Sequence, residues 1–174
     1  MNIRLAAVAD MPRIAEVMRE STANLGRRYY DERETASATE HITVPDRMLI
    51  DDGTYFVVED DGGVIVGCGG WSKRAKLYTG SGDSDARALD PATEAARVRA
   101  MFVLSTHARR GIGRMILEAC EDAARRAGFR KVELMATLPG EPLYLACGYS
   151  VRERADIVLQ DGVRIGGAMM EKTL

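Results

Sequence analysis

Two rhythms of apolar and polar residues run along this chain, and the places where one gives way to the other predict its elements. Residues 3–8 form a short extended segment. Behind Asp10, a candidate N-cap, Met11, Ile14, Ala15 and Met18 recur at helical spacing. The stretch 21–45 is polar and holds Tyr29 and Tyr30; it predicts a second helix without legible boundaries. Apolar runs at 55–58 and 64–68 flank Glu59, Asp60, Asp61, Gly62 and Gly63, the residues a tight hairpin turn needs. Over 97–104 the chain alternates, Val98, Ala100, Phe102 and Leu104 on one side and Arg97, Arg99, Met101 and Val103 on the other, which predicts a strand. The strongest helical pattern follows: Ile112, Met115, Ile116, Ala119, Cys120, Ala123, Ala124 and Ala127 share a stripe, with Glu118, Glu121, Asp122, Arg125 and Arg126 facing away. Gly128 supplies a left-handed C-terminal cap that lets Phe129 fold back. Residues 132–136 read as the next strand, Pro142 opens a short helix ending at Gly148, and 157–159 pairs with 163–165 across Asp161 and Gly162. The order is β-α-α-β-β-β-α-β-α-β-β, with a strand-helix-strand crossover that implies two parallel strands.

Length narrows the picture: 174 residues suit a single domain spanning 1–174. With 46% hydrophobic and 29% charged residues the composition is that of an ordinary globular protein, not a disordered, collagenous or coiled-coil chain. No apolar run reaches the roughly 18 residues of a membrane span, and the first residues lack the apolar stretch of a signal peptide. A cytoplasmic protein without membrane attachment is expected. Lys and Arg number 24 against 26 Asp and Glu, so no global field favours nucleic acid, and any anion must be held locally. Cys68, Cys120 and Cys147 have no paired spacing, and His41 and His107 lie far apart, so neither disulfides nor a metal site is expected.

Arg109, Arg110, Gly111, Ile112, Gly113 and Arg114 sit between a strand end and the best helix. Glycines there let the backbone approach a ligand, and the unpaired amides of a first helical turn point at an anion. Three arginines at a helix N-terminus oppose the macrodipole by about 0.3–1 kcal/mol each, and a bound anion reverses that sign. The alternative is a solvated turn. The Gly-Lys-Ser/Thr ending of a P-loop is missing, because Arg114 and Met115 follow Gly113; so is the third glycine of the dinucleotide fingerprint, where Ile116 stands.

Val98 to Val103 followed by this turn and its helix resembles the acetyl-coenzyme A motif of the GNAT superfamily of N-acetyltransferases. Pro142, Leu143, Tyr144, Leu145, Ala146, Cys147, Gly148 and Tyr149 resemble its second signature. The resemblance spans nearly the whole chain. It implies an α/β (α+β) fold with a mixed, mostly antiparallel sheet, a central parallel pair joined by the βαβ crossover, and helices on both faces. It also implies transfer of an acetyl group from acetyl-CoA to a primary amine of a small-molecule or peptide acceptor, by direct attack in a ternary complex and without a metal. Residues 109–114 would hold the coenzyme A pyrophosphate, and the backbone of Phe102, Val103 and Leu104 would pair with the pantetheine arm between splayed strands. The amide of Val103 would polarise the thioester carbonyl, and Tyr144 would protonate the leaving thiolate.

The chain departs from the family pattern at Ala108 and Pro139, and no acidic residue leads into Val103, where Arg97 and Arg99 are the charged residues. Glu94, Glu59 and His107 are candidate proton acceptors beside a water relay. Acceptor selection is expected from 22–45 and from a long loop over 72–91, with Tyr29, Tyr30, Trp71 and Tyr78 as walls and Asp31, Glu32, Asp83 or Asp85 attracting a cationic amine. Cys147 lacks a histidine partner and is not expected to act as a nucleophile. Two other readings stay open: a non-catalytic acyl-CoA sensor, and an interaction module that docks an acidic protein on Arg109, Arg110 and Arg114. The family also forms homodimers, for which the C-terminal hairpin with Gly166, Gly167, Ala168, Met169 and Met170 could offer an edge.

Overall fold

The structure is a computed structural model that describes residues 1–76 and 87–174. Among the described residues seven strands form one sheet: β1 (Asn2–Leu5), β2 (Tyr55–Glu59), β3 (Ile65–Ser72), β4 (Ala96–Val103), β5 (Lys131–Thr137), β6 (Ser150–Val158) and β7 (Arg164–Thr173), in the order β1-β2-β3-β4-β5-β7-β6. All neighbours are antiparallel except β4 and β5. The described α-helices are α1 (Met11–Leu25), α2 (Glu32–His41), α3 (Arg47–Asp51), α4 (Ile112–Arg126) and α5 (Glu141–Ala146). None of them is long and apolar enough to cross a membrane. The mixed α/β fold with its parallel pair is as expected, and the described element order differs from the expected one only by α3.

Helices cover both faces. On one, Ile112, Ile116, Leu117, Cys120 and Ala124 of α4 pack with Val66, Val98, Val132 and Leu134. On the other, Ile14, Val17 and Met18 of α1 and Leu49 and Ile50 of α3 meet Tyr55, Val57, Ile65 and Cys68. The sheet gives α4 a wider apolar contact than the expected stripe, so Leu117 is buried as well. Glu121 is also buried, against the outward position its spacing predicts, and is neutralised by Lys172 at 2.6 Å. Close contact between α4 and β3 depends on two glycines. A Cβ on Gly67 would lie 2.6 Å from Ile112 Cγ2, and one on Gly69 would lie 2.9 Å from Ile116 Cγ2.

Local details correct several expectations. Asp10 does not cap α1: its carboxylate accepts from the Ala7 amide at 2.7 Å and pairs with Arg4, so it caps the 3₁₀ turn one step earlier. Gly128, with φ of 93°, ends α4 as anticipated, and Phe129 N–H returns to Ala124 O at 3.1 Å. The expected alternation of β4 fails at Ala100, whose φ is 53°. Gly70 faces Arg99 and Cys68 faces Phe102, so Ala100 and Met101 together oppose Gly69. This bulge moves Met101 and Val103 to the α4 side with Val98, while Ala100 and Phe102 pack on the α1 side. β7 lies between β5 and β6, so the 166–170 stretch offers no free edge; the outer strand of that hairpin is β6, which carries Arg152, Glu153 and Arg154.

Candidate active site

The site is a gap in the sheet. β4 and β5 pair only at Ala96 with Val132 and Arg97 with Glu133, although β4 runs on to Val103 and β5 to Thr137. Each keeps its outer partner over that length, β4 with β3 to Val103 and β5 with β7 to Thr137, so the two parallel strands diverge without unravelling. An ion pair between Arg97 and Glu133 ties them together where pairing ends. A cavity of about 1080 Å³ occupies the opening, bounded by β4, the start of α4, α5, the end of β5, and the segment from α1 to α2.

At the α4 end the backbone leaves several amides unpaired. Arg109 and Gly111 have φ of 65° and 85°, and the first bond of the helix runs from Met115 N–H to Gly111 O at 3.0 Å. Ile112, Gly113 and Arg114 therefore have amides without an intrahelical acceptor, and neither a side-chain cap nor an acidic residue in the first turn competes for them. A Cβ on Gly113 would sit 2.8 Å from Leu143 Cδ2, so a glycine here lets α5 close against α4. Arg109, Gly111, Ile112, Gly113 and Arg114 line the cavity, together with Phe102, Val103 and Tyr144; Arg110 and Leu104 do not.

The middle of the cavity is formed by β4 and α5. Leu104 N–H is already bonded to Val66 O at 2.9 Å, which removes it as a donor to a ligand. By strand alternation the Val103 amide points the other way, into the gap. The family pattern treats 102–104 as equivalent, and only the pairing of β3 separates them. Tyr144 is 7% exposed, its ring edge-on to Tyr149 at 5.7 Å, and among the described residues nothing is hydrogen bonded to its hydroxyl. Burial pushes that phenol well above its ordinary pKa, with Cys120 and Cys147 adding to the shift, so it is protonated at neutral pH. Burial likewise raises the Cys147 thiol, against the nearby charge of Arg114, which leaves little thiolate for nucleophilic attack.

The α1–α2 end is lined by Ser21, Thr22, Arg28, Tyr29, Tyr30 and Ile42. Tyr30 acts as a strut: its hydroxyl donates to Gly166 O at 2.7 Å and accepts from Leu138 N–H at 2.8 Å, fixing the end of β5 against β7. Burial raises this phenol to about 12. Trp71 is buried against Phe129 and does not wall the cavity, nor do Asp31 and Glu32. Tyr78, Asp83 and Asp85 lie outside the described residues.

Of the three candidate proton acceptors only His107 lines the cavity. Glu59 is paired with Arg4 at the β1–β2 edge. Glu94 is held by Arg87, which with the Asp90 amide lowers its carboxyl to about 2 and makes it a poor base. Sequence reasoning misses Arg99. Alternation puts it on the same side of β4 as Arg97, but it is 5% exposed, lines the cavity, and bonds Asp46 Oδ2 through Nη2 at 2.9 Å. Arginine in an alternating strand reads as a solvent-facing residue, and nothing local signals a carboxylate 53 positions away.

Comparison with known proteins agrees with this architecture. Residues 15–149, well over half of the chain, match the Acetyltransferase (GNAT) family. No curated protein sequence matches. A GCN5-related N-acetyltransferase of Rhodopseudomonas palustris superposes with a TM-score of 0.74 at 18% identity, covering 99% of this chain and 95% of that one. The PaiA N-acetyltransferase of Thermoplasma acidophilum, solved with coenzyme A, gives 0.68 at 15% identity over 99% and 98%. A putative acetyltransferase of Salmonella typhimurium, solved with acetyl-CoA, gives 0.66 at 20% identity over 100% and 94%. At such identities the structures speak for the fold, and the family match carries the assignment: this chain belongs to the GNAT family of acetyltransferases.

Proposed function

We propose that this chain is an N-acetyltransferase that moves an acetyl group from acetyl-CoA to the primary amine of an acceptor, by direct attack within a ternary complex. The observation that carries the reading is the sheet gap, whose cavity has free α4 amides at one end and the segment from α1 to α2 at the other. Two substrates can enter from opposite ends and meet beside Val103 and Tyr144.

The amides of Gly111, Ile112, Gly113 and Arg114 take the pyrophosphate, with Arg109 and Arg114 adding charge. Phe102 and Val103 line the path of the pantetheine arm, and the Val103 amide donates to the thioester oxygen as negative charge develops there. The amine nitrogen attacks the carbonyl carbon and the carbon–sulfur bond breaks. Tyr144, which lines the cavity, gives its proton to the departing thiolate. The proton shed by the amine goes to His107 or to water in the cavity. A thioester is already activated, so positioning and oxyanion stabilisation supply most of the rate.

Thermal unfolding with and without acetyl-CoA, with ATP and NAD as controls, tests the cosubstrate. Saturation near 100 times the dissociation constant adds about 2.7 kcal/mol, or roughly 5–10 °C for a chain of this size. The same shift with ATP or NAD, or none with acetyl-CoA, refutes the assignment. A second reading, an acyl-CoA sensor without turnover, is favoured by one observation: among the described residues no carboxylate lines the cavity. Release of free thiol in the presence of an amine panel distinguishes the enzyme from the sensor.

A further inference from the structure

Among the described residues, every charged side chain lining the cavity is cationic: Arg28, Arg99, Arg109 and Arg114. Arg109 and Arg114 belong to the α4 end, where the reading above puts phosphates. Arg28 and Arg99 lie on the other side, and neither is accounted for by the cosubstrate. Arg28 is exposed, just beyond α1. Arg99 is different in kind, because its side chain is 3% exposed.

A guanidinium this deeply buried ordinarily has acceptors for all its donors. Arg99 does not. Nη2 bonds Asp46; among the described residues Nε has no partner, and none accepts from Nη1. The hydroxyl of Thr22, which also lines the cavity, is buried and unpartnered as well. Among the described residues local charge is unbalanced in the same sense. Asp46 is shared between Arg99 at 2.9 Å and Lys76 at 3.6 Å, so one carboxylate faces two cations. The positive excess sits at the cavity wall, and no carboxylate among the described residues lines that wall to cancel it.

We propose that the acceptor is a small amine that also carries a carboxylate-type anion, and that Arg99 binds this anion and so selects the substrate. The proposal rests on the acetyltransferase reading and specifies its acceptor. An anion beside Arg99 supplies the missing acceptor, offsets the surplus charge, and leaves the amine free to face Val103 along the same strand. Because the guanidinium lies within the wall and not at the rim, the anion and the amine have to belong to one small molecule. Asp31 and Glu32, expected to draw in a cationic amine, do not line the cavity, and on this proposal the end opposite α4 takes negative charge.

The test uses the whole chain saturated with acetyl-CoA and a panel of matched amines: α-, β- and γ-amino acids, their carboxamides, and the corresponding amines without a carboxyl group. Thiol release and thermal shift are read for each. The expected result is a preference of at least roughly tenfold in kcat/KM for the carboxylate member of a pair, expressed mainly in KM. Arg99→Gln abolishes that preference by raising KM for the carboxylate members well beyond any change in the neutral ones, and Arg99→Lys restores part of it. Should Arg99→Gln fail to fold because Asp46 is left unpaired, the double variant Arg99→Gln/Asp46→Asn removes both buried charges and is read instead. Equal turnover of the neutral members, equal loss for charged and neutral members in the variant, or a panel that neither reacts nor binds while acetyl-CoA still does, each overturns the proposal and spares the cosubstrate assignment. Absence of an acetyl-CoA shift is read separately and overturns both.

Discussion

The fit of α4 on β3 makes a quantitative prediction about Gly67. Its missing side chain faces Ile112, the first residue of α4, and a Cβ there would stand 2.6 Å from Ile112 Cγ2 and 3.4 Å from Ile116 Cδ1. Carbon atoms in good contact are about 3.5–4.0 Å apart, so Gly67→Ala forces a displacement of about 1 Å at the N-terminal turn of the helix. Overpacking of this size in a filled core costs about 1–3 kcal/mol. At about 2 kcal/mol the unfolding midpoint falls by roughly 4–8 °C. The affected turn carries the amides assigned to the pyrophosphate, so the affinity for acetyl-CoA falls too. Ile112→Ala alone costs about 2–5 kcal/mol through the cavity it leaves. In the double variant the methyl group added at position 67 occupies part of that cavity, so the combined loss is smaller than the sum by about 0.5–3 kcal/mol. Urea denaturation of the four proteins in the cycle measures this. Strict additivity, or a Gly67→Ala loss below about 0.5 kcal/mol, would refute the claim that this glycine sets the approach of the helix.

Other expectations follow from single contacts. Tyr144→Phe keeps the buried ring and removes the proton donor; turnover drops by about 100-fold or more while acetyl-CoA affinity measured by calorimetry is unchanged, and unaltered turnover removes Tyr144 from the mechanism. Tyr30→Phe leaves Leu138 N–H and Gly166 O without their shared partner and destabilises by about 1–3 kcal/mol in the same denaturation assay. Burial raises the Asp46 carboxyl, but Arg99, Lys76 and the Met48 amide together hold it below the ordinary 3.8. Its stabilisation is therefore complete above that value and is lost as pH falls through the lower folded-state value. Asp46→Asn flattens this acid limb of the stability profile, and a profile identical to that of the unsubstituted protein would contradict the ion pair.

What the sequence determined by itself was everything governed by neighbours along the chain. The stripe of α4, the Gly128 cap, the β2–β3 turn and the glycine-containing turn at 109–114 follow from periodicity and from the backbone angles particular residues accept, and those rules act over a few residues. Leu143 and Tyr144 fall on α5 for the same reason. The tertiary structure decided what depends on distant partners. The bulge at Ala100 is a register shift between β4 and β3, and it reassigns the faces of Ala100, Met101 and Val103. Leu104 loses its amide to Val66, and Asp10 turns to Ala7 and Arg4. The short helix α3 brings Asp46 within reach of Arg99, so a residue that reads as exposed strand charge becomes a buried cation in the cavity wall. Charge carries no mark in the sequence of whether it will meet water or a carboxylate 53 residues away; only closing the sheet and packing helices on it makes that choice.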